Sequence, residues 1–224
     1  MTTRIRRLVM LRHGQTEYNA GSRMQGQLDT DLTDLGRAQA GAAAEILAKR
    51  QPLLIVSSDL RRASDTAAAL GERSGVPVEF DIRLRETHLG DWQGLTHTEV
   101  DDVAPGARLA WRDDARWAPH GGESRIDVAD RSRPLVAELV DSHHEWGLEE
   151  PDRPVVLVAH GGLIAALTAV LLDLPVDNWP ILGGMGNASW VQLSGHSTPD
   201  AALDEVKWRL DVWNASAQVA NDVL

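Results

Sequence analysis

Three short apolar runs, each followed at once by polar or glycine residues, constrain this chain more than any other feature. They are RLVML (7–11), PLLIVSS (52–58) and VVLVAH (155–160). Runs of this length are too short for helices and read as buried strands. Helical patterns lie between them. Thr33-Asp34-Leu35-Gly36 opens an Ala-rich stretch that ends at Lys49-Arg50 and is stopped by Pro52. Leu60 to Arg73 carries apolar residues at Leu60, Ala63, Ala67 and Leu70, and Gly75-Val76-Pro77 breaks it before a short strand over Val76 to Phe80. Ser124-Arg125-Ile126-Asp127 is a capping box opening a helix to about Ser142, and GGLIAALTAVLL (161–172) is a helix after the third strand. Asn187 to Ser194 and Glu205 to Trp213 alternate apolar and polar residues, as an antiparallel edge pair joined by the loop GHSTPD (195–200) would. Strands alternating with helices predict an α/β fold: a three-layer α/β/α sandwich whose mostly parallel sheet carries an antiparallel edge. No repeat or linker interrupts the pattern, so one domain over 1–224 is expected. Residues from about 83 to 123 form a polar, Trp-, Gly- and Pro-containing excursion, expected to be a lid-like insertion.

Composition removes several chemistries. There is no cysteine, which excludes thiolate nucleophiles, disulfides and Cys-ligated metals. The formal charge of −11 argues against nucleic acid as a partner, because that binding depends on neutralising phosphates. No segment approaches the ~20 apolar residues of a membrane span, and the apolar part of MTTRIRRLVML is too short for a secretory signal. The expectation is a cytoplasmic protein with no membrane partner. A local cluster of arginines can still oppose the global charge and take a small anion.

The strand ends supply that cluster. The first run ends in Arg12-His13-Gly14, the second in Ser57-Ser58 followed by Arg61-Arg62, and the third in His160-Gly161-Gly162. In open α/β sheets ligands bind outside the carboxyl ends of the strands, so two histidines and several arginines converge there. Arginine offers a planar fork that matches phosphate oxygens. A neutral imidazole is a competent nucleophile, and flanking cations disfavour its protonation. A leaving group needs a proton, and Glu86 in LRETHLGDWQG (84–94) is the carboxyl group at hand.

LRHGQTEYN (11–19), MQGQLDTDLTDLGRAQA (24–40), SSDLRRASDTA (57–67), LRETHLGDWQG, GGES (121–124) and VAHGG (158–162) occur in one order along the chain. Together they resemble the histidine phosphatase superfamily, whose first-described members are the cofactor-dependent phosphoglycerate mutases. The resemblance implies a phosphoglycerate mutase-like fold and a phosphohistidine on His13. It implies a phosphate pocket of Arg12, Arg62 and His160, with Glu86 as proton donor and later base. Asn19 and the main chain at Gly161 are expected to add phosphate hydrogen bonds, with Gln25 further out. No cofactor and no metal is implied, because arginines and histidines supply the positive charge.

One site of this kind can serve a phosphatase, a mutase or a module that only binds phosphorylated partners. The last has no need for both His13 and Glu86. The short chain and ETHLGDWQG favour the phosphatase. A narrower likeness within the phosphatases is carried by RMQGQLDT, SSDLRRA, RLRETHLGDWQGLTH, PGARLAWR, APHGGES, AHGGLIAAL, GGMGNASW and WRLDVWNASAQV. It implies a small anionic phosphomonoester that joins a sugar to a carboxylic acid, and a homodimer. Arg112, Arg116 and His120, with Trp111 beside them, are the residues expected to meet the sugar and carboxylate.

Overall fold

The computed structural model describes residues 4–148 and 153–217. The last residues of the WRLDVWNASAQV block, Gln218 and Val219, lie outside them. The strands are β1 (Arg4–Arg12), β2 (Leu54–Ser57), β3 (Val78–Phe80), β4 (Val155–Ala159), β5 (Trp190–Ser197) and β6 (Lys207–Ala215). The helices are α1 (Glu17–Ala20), α2 (Asp34–Ala48), α3 (Arg61–Ser74), α4 (His97–Val103), α5 (Ala107–Asp113), α6 (Arg125–Ser142) and α7 (Gly161–Leu171).

The six strands form one sheet in the order β3-β2-β4-β1-β5-β6. β3, β2, β4 and β1 run parallel, and β5 and β6 add the antiparallel edge. Successive side chains of a strand point to opposite faces, and here each face has its own helical layer. Leu8, Met10, Val155, Leu157 and Ala159 pack with α6 and α7 through Val128, Val136, Leu163 and Leu167. Val9, Leu11, Ile55, Val156 and Val158 pack with α2 and α3 through Ala43, Leu47, Ala67 and Leu70. The expected three layers are therefore present, and burial on both faces explains why the parallel strands read as unbroken apolar runs.

The excursion has a small core of its own. Met24, Leu89, Trp92 and Val100 are buried with Trp111 and Trp117 packed against them. Trp92 stacks on Trp117 at 5.3 Å and meets Trp111 edge-on at 6.1 Å.

Three local readings change. β1 starts at Arg4 rather than Arg7, and Arg4 and Arg6 are buried despite their charge. Arg4 donates to the main-chain oxygens of Trp146 and Pro199, and Arg6 to Ser197 Oγ. β5 begins at Trp190 and runs through Gly195, His196 and Ser197, residues expected in a loop. The short helix α1, capped by Thr16, was not anticipated from the sequence.

Candidate active site

The strand register brings the two histidines together. Arg12 on β1 pairs with Ala159 on β4, so the next residue of each chain segment is a histidine. The imidazole centroids of His13 and His160 are 5.1 Å apart, close to the spacing of neighbouring strands. His13 is tied on both sides by main chain: its N–H donates to Ala159 O at 3.1 Å, and its carbonyl accepts from the Ala188 N–H at 3.0 Å. Close approach of the main chain is needed just beyond. A Cβ on Gly14 would lie 2.2 Å from the Gly36 carbonyl oxygen, and one on Gly36 would lie 2.0 Å from that of Gln15.

His13 Nδ1 lies 2.7 Å from the Gly14 carbonyl oxygen. A carbonyl only accepts, so Nδ1 carries the hydrogen and Nε2 keeps its lone pair. His13 is 2% exposed. Burial, then Arg62 and Arg12, push its pKa well below the ordinary histidine value. The neutral, nucleophilic form is the one that this site favours. His160 is fully buried, with Nε2 2.9 Å from Ser58 Oγ and Nδ1 free of protein partners. Burial first, then Arg62, His13 and Arg12, likewise disfavour its protonation.

The two arginines are anchored by main-chain oxygens. Arg62, in the first turn of α3, donates to Leu28 O and Gly26 O, both at 2.8 Å. Arg12 donates from Nη1 to Met185 O. The Nε atoms of both are buried without a hydrogen-bond partner. Arg12 Nε would lie 3.5 Å from a Cβ on Gly161, which places it against the start of α7. Burial lowers both pKa values, that of Arg62 to about 10, with Glu86 opposing the shift in each. A guanidinium at that value is still charged at neutral pH. Unpaired buried donors are costly, and an anion with several acceptor oxygens satisfies them.

Glu86 lies in the irregular segment after β3 and reaches the first turn of α7. Oε2 accepts from the Gly162 N–H and Oε1 from the Leu163 N–H, each at 3.1 Å, and Oε1 also accepts from the Thr87 N–H at 2.8 Å. A carboxylate is at home on these unpaired N–H groups. A Cβ at position 162 would lie 2.6 Å from Glu86 Oε1, so only glycine admits the carboxyl group there. Arg83 and Arg85 do not hold Glu86: Arg83 pairs with Asp81 and Glu138, and Arg85 with Asp59.

Asn19 and Gln25 turn their carbonyl oxygens towards donors of the protein. Asn19 Oδ1 accepts from the Thr16 N–H and from Asn187 Nδ2, and Gln25 Oε1 from Thr16 Oγ1 and Thr30 Oγ1. Their NH₂ groups are thus the ends available to an anion. Two of the outer three expected residues have other partners, and the third is exposed. Arg116 pairs with Asp177 at 2.7 Å, His120 Nδ1 lies 2.8 Å from Asp91, and Arg112 is exposed at the end of α5. None of their hydrogen bonds reaches the His13 cluster.

Several contributors escaped the sequence reading. Ser58 braces His160, the Met185 carbonyl holds Arg12, and Asn187 Nδ2 donates to both His13 O and Asn19 Oδ1. Arg131 and Glu123 brace the segment that carries Glu86. GGMGNASW entered the sequence reading only as a block of the resemblance, with Asn187 as the start of an edge strand, and main-chain acceptors leave no mark on residue type.

Residues 8–215 match the model of the histidine phosphatase superfamily (branch 1). The chain belongs to this superfamily. Among its relatives is a glucosyl-3-phosphoglycerate phosphatase of Mycolicibacterium vanbaalenii, 80% identical over 224 residues that cover 99% of this chain and 100% of the relative. A mycobacterial glucosyl-3-phosphoglycerate phosphatase solved in complex with VO3 is 76% identical, with a TM-score of 0.88 over 94% of this chain and 100% of that one. The corresponding complex with inorganic phosphate is 74% identical, with a TM-score of 0.88 over 96% of this chain and 100% of that one. Among the described residues, no helix is long and apolar enough to cross a membrane.

Proposed function

We propose that this protein is a metal-independent phosphomonoesterase acting through phosphohistidine, and that it hydrolyses glucosyl-3-phosphoglycerate to glucosylglycerate and phosphate. The observation that carries the chemistry is the hydrogen bond from His13 Nδ1 to the Gly14 carbonyl, because it leaves the Nε2 lone pair available beside two guanidinium groups. The substrate assignment is supported by the near-complete alignment with relatives of that activity.

In the first step, His13 Nε2 attacks phosphorus and the bond to the ester oxygen breaks. Glu86, which takes up a proton as the anionic ester binds beside it, delivers that proton to the departing alkoxide. In the second step, water attacks the phosphohistidine and Glu86 takes its proton. The P–N bond breaks, phosphate leaves and neutral His13 is restored. Arg12, Arg62 and His160 hold the non-bridging oxygens through both steps, with Asn19, Gln25 and the Gly161 main chain around them. Fixed donors of this kind stabilise the spread charge of phosphoryl transfer without reorganising. Arg112, Arg116 and His120 are kept as the proposed contacts to the sugar and carboxylate, and a homodimer as the proposed assembly.

The test is phosphate release in EDTA from glucosyl-3-phosphoglycerate, mannosyl-3-phosphoglycerate, 3-phosphoglycerate and p-nitrophenyl phosphate. Conversion of 3- to 2-phosphoglycerate with added 2,3-bisphosphoglycerate is followed in parallel. The expected result is metal-independent release, fastest from the glucosyl ester, with no isomerisation. Isomerisation without release would make the protein a mutase. A preference for another ester of the panel would overturn the substrate.

A further inference from the structure

We propose that Arg131, on α6, is a positioning residue that sets the place of Glu86 and thereby the efficiency of proton transfer to the leaving group. This rests on the reading of Glu86 as proton donor.

Glu86 to Leu89 belong to no helix or strand, so no ladder of main-chain hydrogen bonds fixes the general acid. One guanidinium does so instead. Arg131 Nη1 donates to Arg83 O at 2.7 Å and Nη2 to Glu86 O at 2.9 Å. Its other edge grips Glu123, with Nε to Oε1 at 2.7 Å and Nη2 to Oε2 at 3.0 Å. Glu123 in turn accepts the His88 N–H on Oε2 and donates its own N–H to His88 O, both at 2.7 Å. The Arg131–Glu123 unit therefore holds the main chain at residues 83, 86 and 88, on both sides of the carboxyl group. Gln27 Nε2 adds a donor to Glu86 O at 3.0 Å.

The frame behind this clamp is rigid. α6 runs for 18 residues and buries Val128, Ala129, Ser132 and Leu135 around Arg131. Both side chains of the pair are 22% exposed, unlike the open ion pairs of the surface. Four acceptors, two main-chain carbonyls and both Glu123 carboxylate oxygens, engage the arginine fork, and a lysine ammonium cannot span them. The neighbouring Arg83 and Arg85 are spent on Asp81, Glu138 and Asp59, which leaves Arg131 as the cation on the Glu86 main chain.

A residue acting through the general acid has a signature that plain destabilisation lacks. A sugar or glycerate alkoxide needs its proton, whereas p-nitrophenolate leaves almost without one. The experiment compares kcat/KM of the full-length wild type, Arg131→Met, Glu123→Gln and Glu86→Gln on glucosyl-3-phosphoglycerate and p-nitrophenyl phosphate, because kcat/KM reports the phosphorylation of His13 and leaves out the later hydrolysis, which both esters share and which uses Glu86 as base. Misplacing a catalytic group by about 1 Å costs up to ~100-fold. Arg131→Met is therefore expected to lose about 10- to 100-fold on the glucosyl ester and less than about threefold on the nitrophenyl ester. Combined with Glu86→Gln, it is expected to add almost nothing, because residues that act as one unit are not additive. Equal losses on the two esters would make the clamp merely structural and overturn the proposal. If Arg131→Met does not fold, Glu123→Gln opens the clamp from its other side and is read in the same way. A leaving-group bias in Glu86→Gln but not in the clamp variants refutes this inference alone. Its absence from Glu86→Gln as well refutes the general acid itself.

Discussion

The buried histidine pair should make this protein lose stability on mild acidification, by an amount that can be worked out. His13 and His160 are 2% and 0% exposed, and burial beside Arg62 and Arg12 holds both pKa values well below the ordinary value. In the unfolded chain each titrates near that ordinary value of about 6.5. The folded value lies below the unfolded one, so the unfolded chain binds more protons as pH falls, and stability falls with it. Between pH 7.5 and 5.5 the unfolded state gains RT ln[(1 + 10)/(1 + 0.1)], about 1.4 kcal/mol for each histidine that stays neutral in the fold. The pair accounts for about 2.7 kcal/mol, a large part of a typical total of about 5–15 kcal/mol. Urea unfolding at pH 7.5, 6.5 and 5.5 measures it for the wild type, His13→Gln and His160→Gln. Each variant should lose about 1.4 kcal/mol less than the wild type across that range, other titrating groups being common to all three. A pH dependence unchanged in either variant would show that the histidine removed titrates in the folded state as it does in the unfolded chain, against the downward shift that burial and the arginines impose.

Other consequences are as direct. His13→Ala should abolish the alkali-stable, acid-labile phosphoenzyme seen on rapid quench with a labelled ester, and a label persisting in that variant would place the nucleophile elsewhere. Gly36→Ala puts a Cβ 2.0 Å from the Gln15 carbonyl oxygen in the turn that follows His13. Overpacking of that order should cost about 1–3 kcal/mol or more, lowering Tm by roughly 2–4 °C per kcal/mol, and calorimetry showing no change would mean that the turn relaxes freely. Arg112→Ala with Arg116→Ala should raise KM for glucosyl-3-phosphoglycerate at least about fivefold, the worth of one charged hydrogen bond or less, while sparing p-nitrophenyl phosphate. An unchanged KM would assign both arginines to the surface, where Arg116 already has Asp177.

The sheet and its chemical rim were legible because burial on both faces forces unbroken apolar strands, and because phosphate chemistry demands particular side chains at their ends. The edge was harder. Ala188 takes a φ of 51°, and its N–H is used on His13 O, so β5 cannot begin before the loop has closed around the histidine. Gly195 reads as a turn residue, yet a Cβ there would lie 2.7 Å from Val206 Cγ1 and 3.0 Å from the Trp208 ring. Glycine marks tight cross-strand packing at that position, not a bend. Arg4 and Arg6 look like solvated terminal charges but bond to main-chain and side-chain oxygens brought from about residues 146 and 197–199. The same limit hid Arg131. Its four acceptors are set by how three segments pack, and the pattern of α6 carries no sign of them.

The division of the site between rigid and irregular segments follows from the proposed chemistry. The phosphoryl group moves from the ester to His13 and then to water, while its non-bridging oxygens keep the same surroundings. The groups that would hold them stand at the ends of β1 and β4 and in the first turn of α3, the parts of the fold fixed by two buried cores. Glu86 has a different task, serving first the alkoxide and then the water that replaces it. A strand end would tie it to one direction. An irregular segment leaves its side chain free to aim, but it must be braced or the proton arrives misplaced. The clamp by Arg131 and Glu123 and the N–H groups of Gly162 and Leu163 supply that bracing at the main chain and at the carboxyl group separately. Losing the main-chain brace should therefore degrade proton transfer while phosphate is still held, which is why the leaving group, rather than overall activity, is the quantity that tests it.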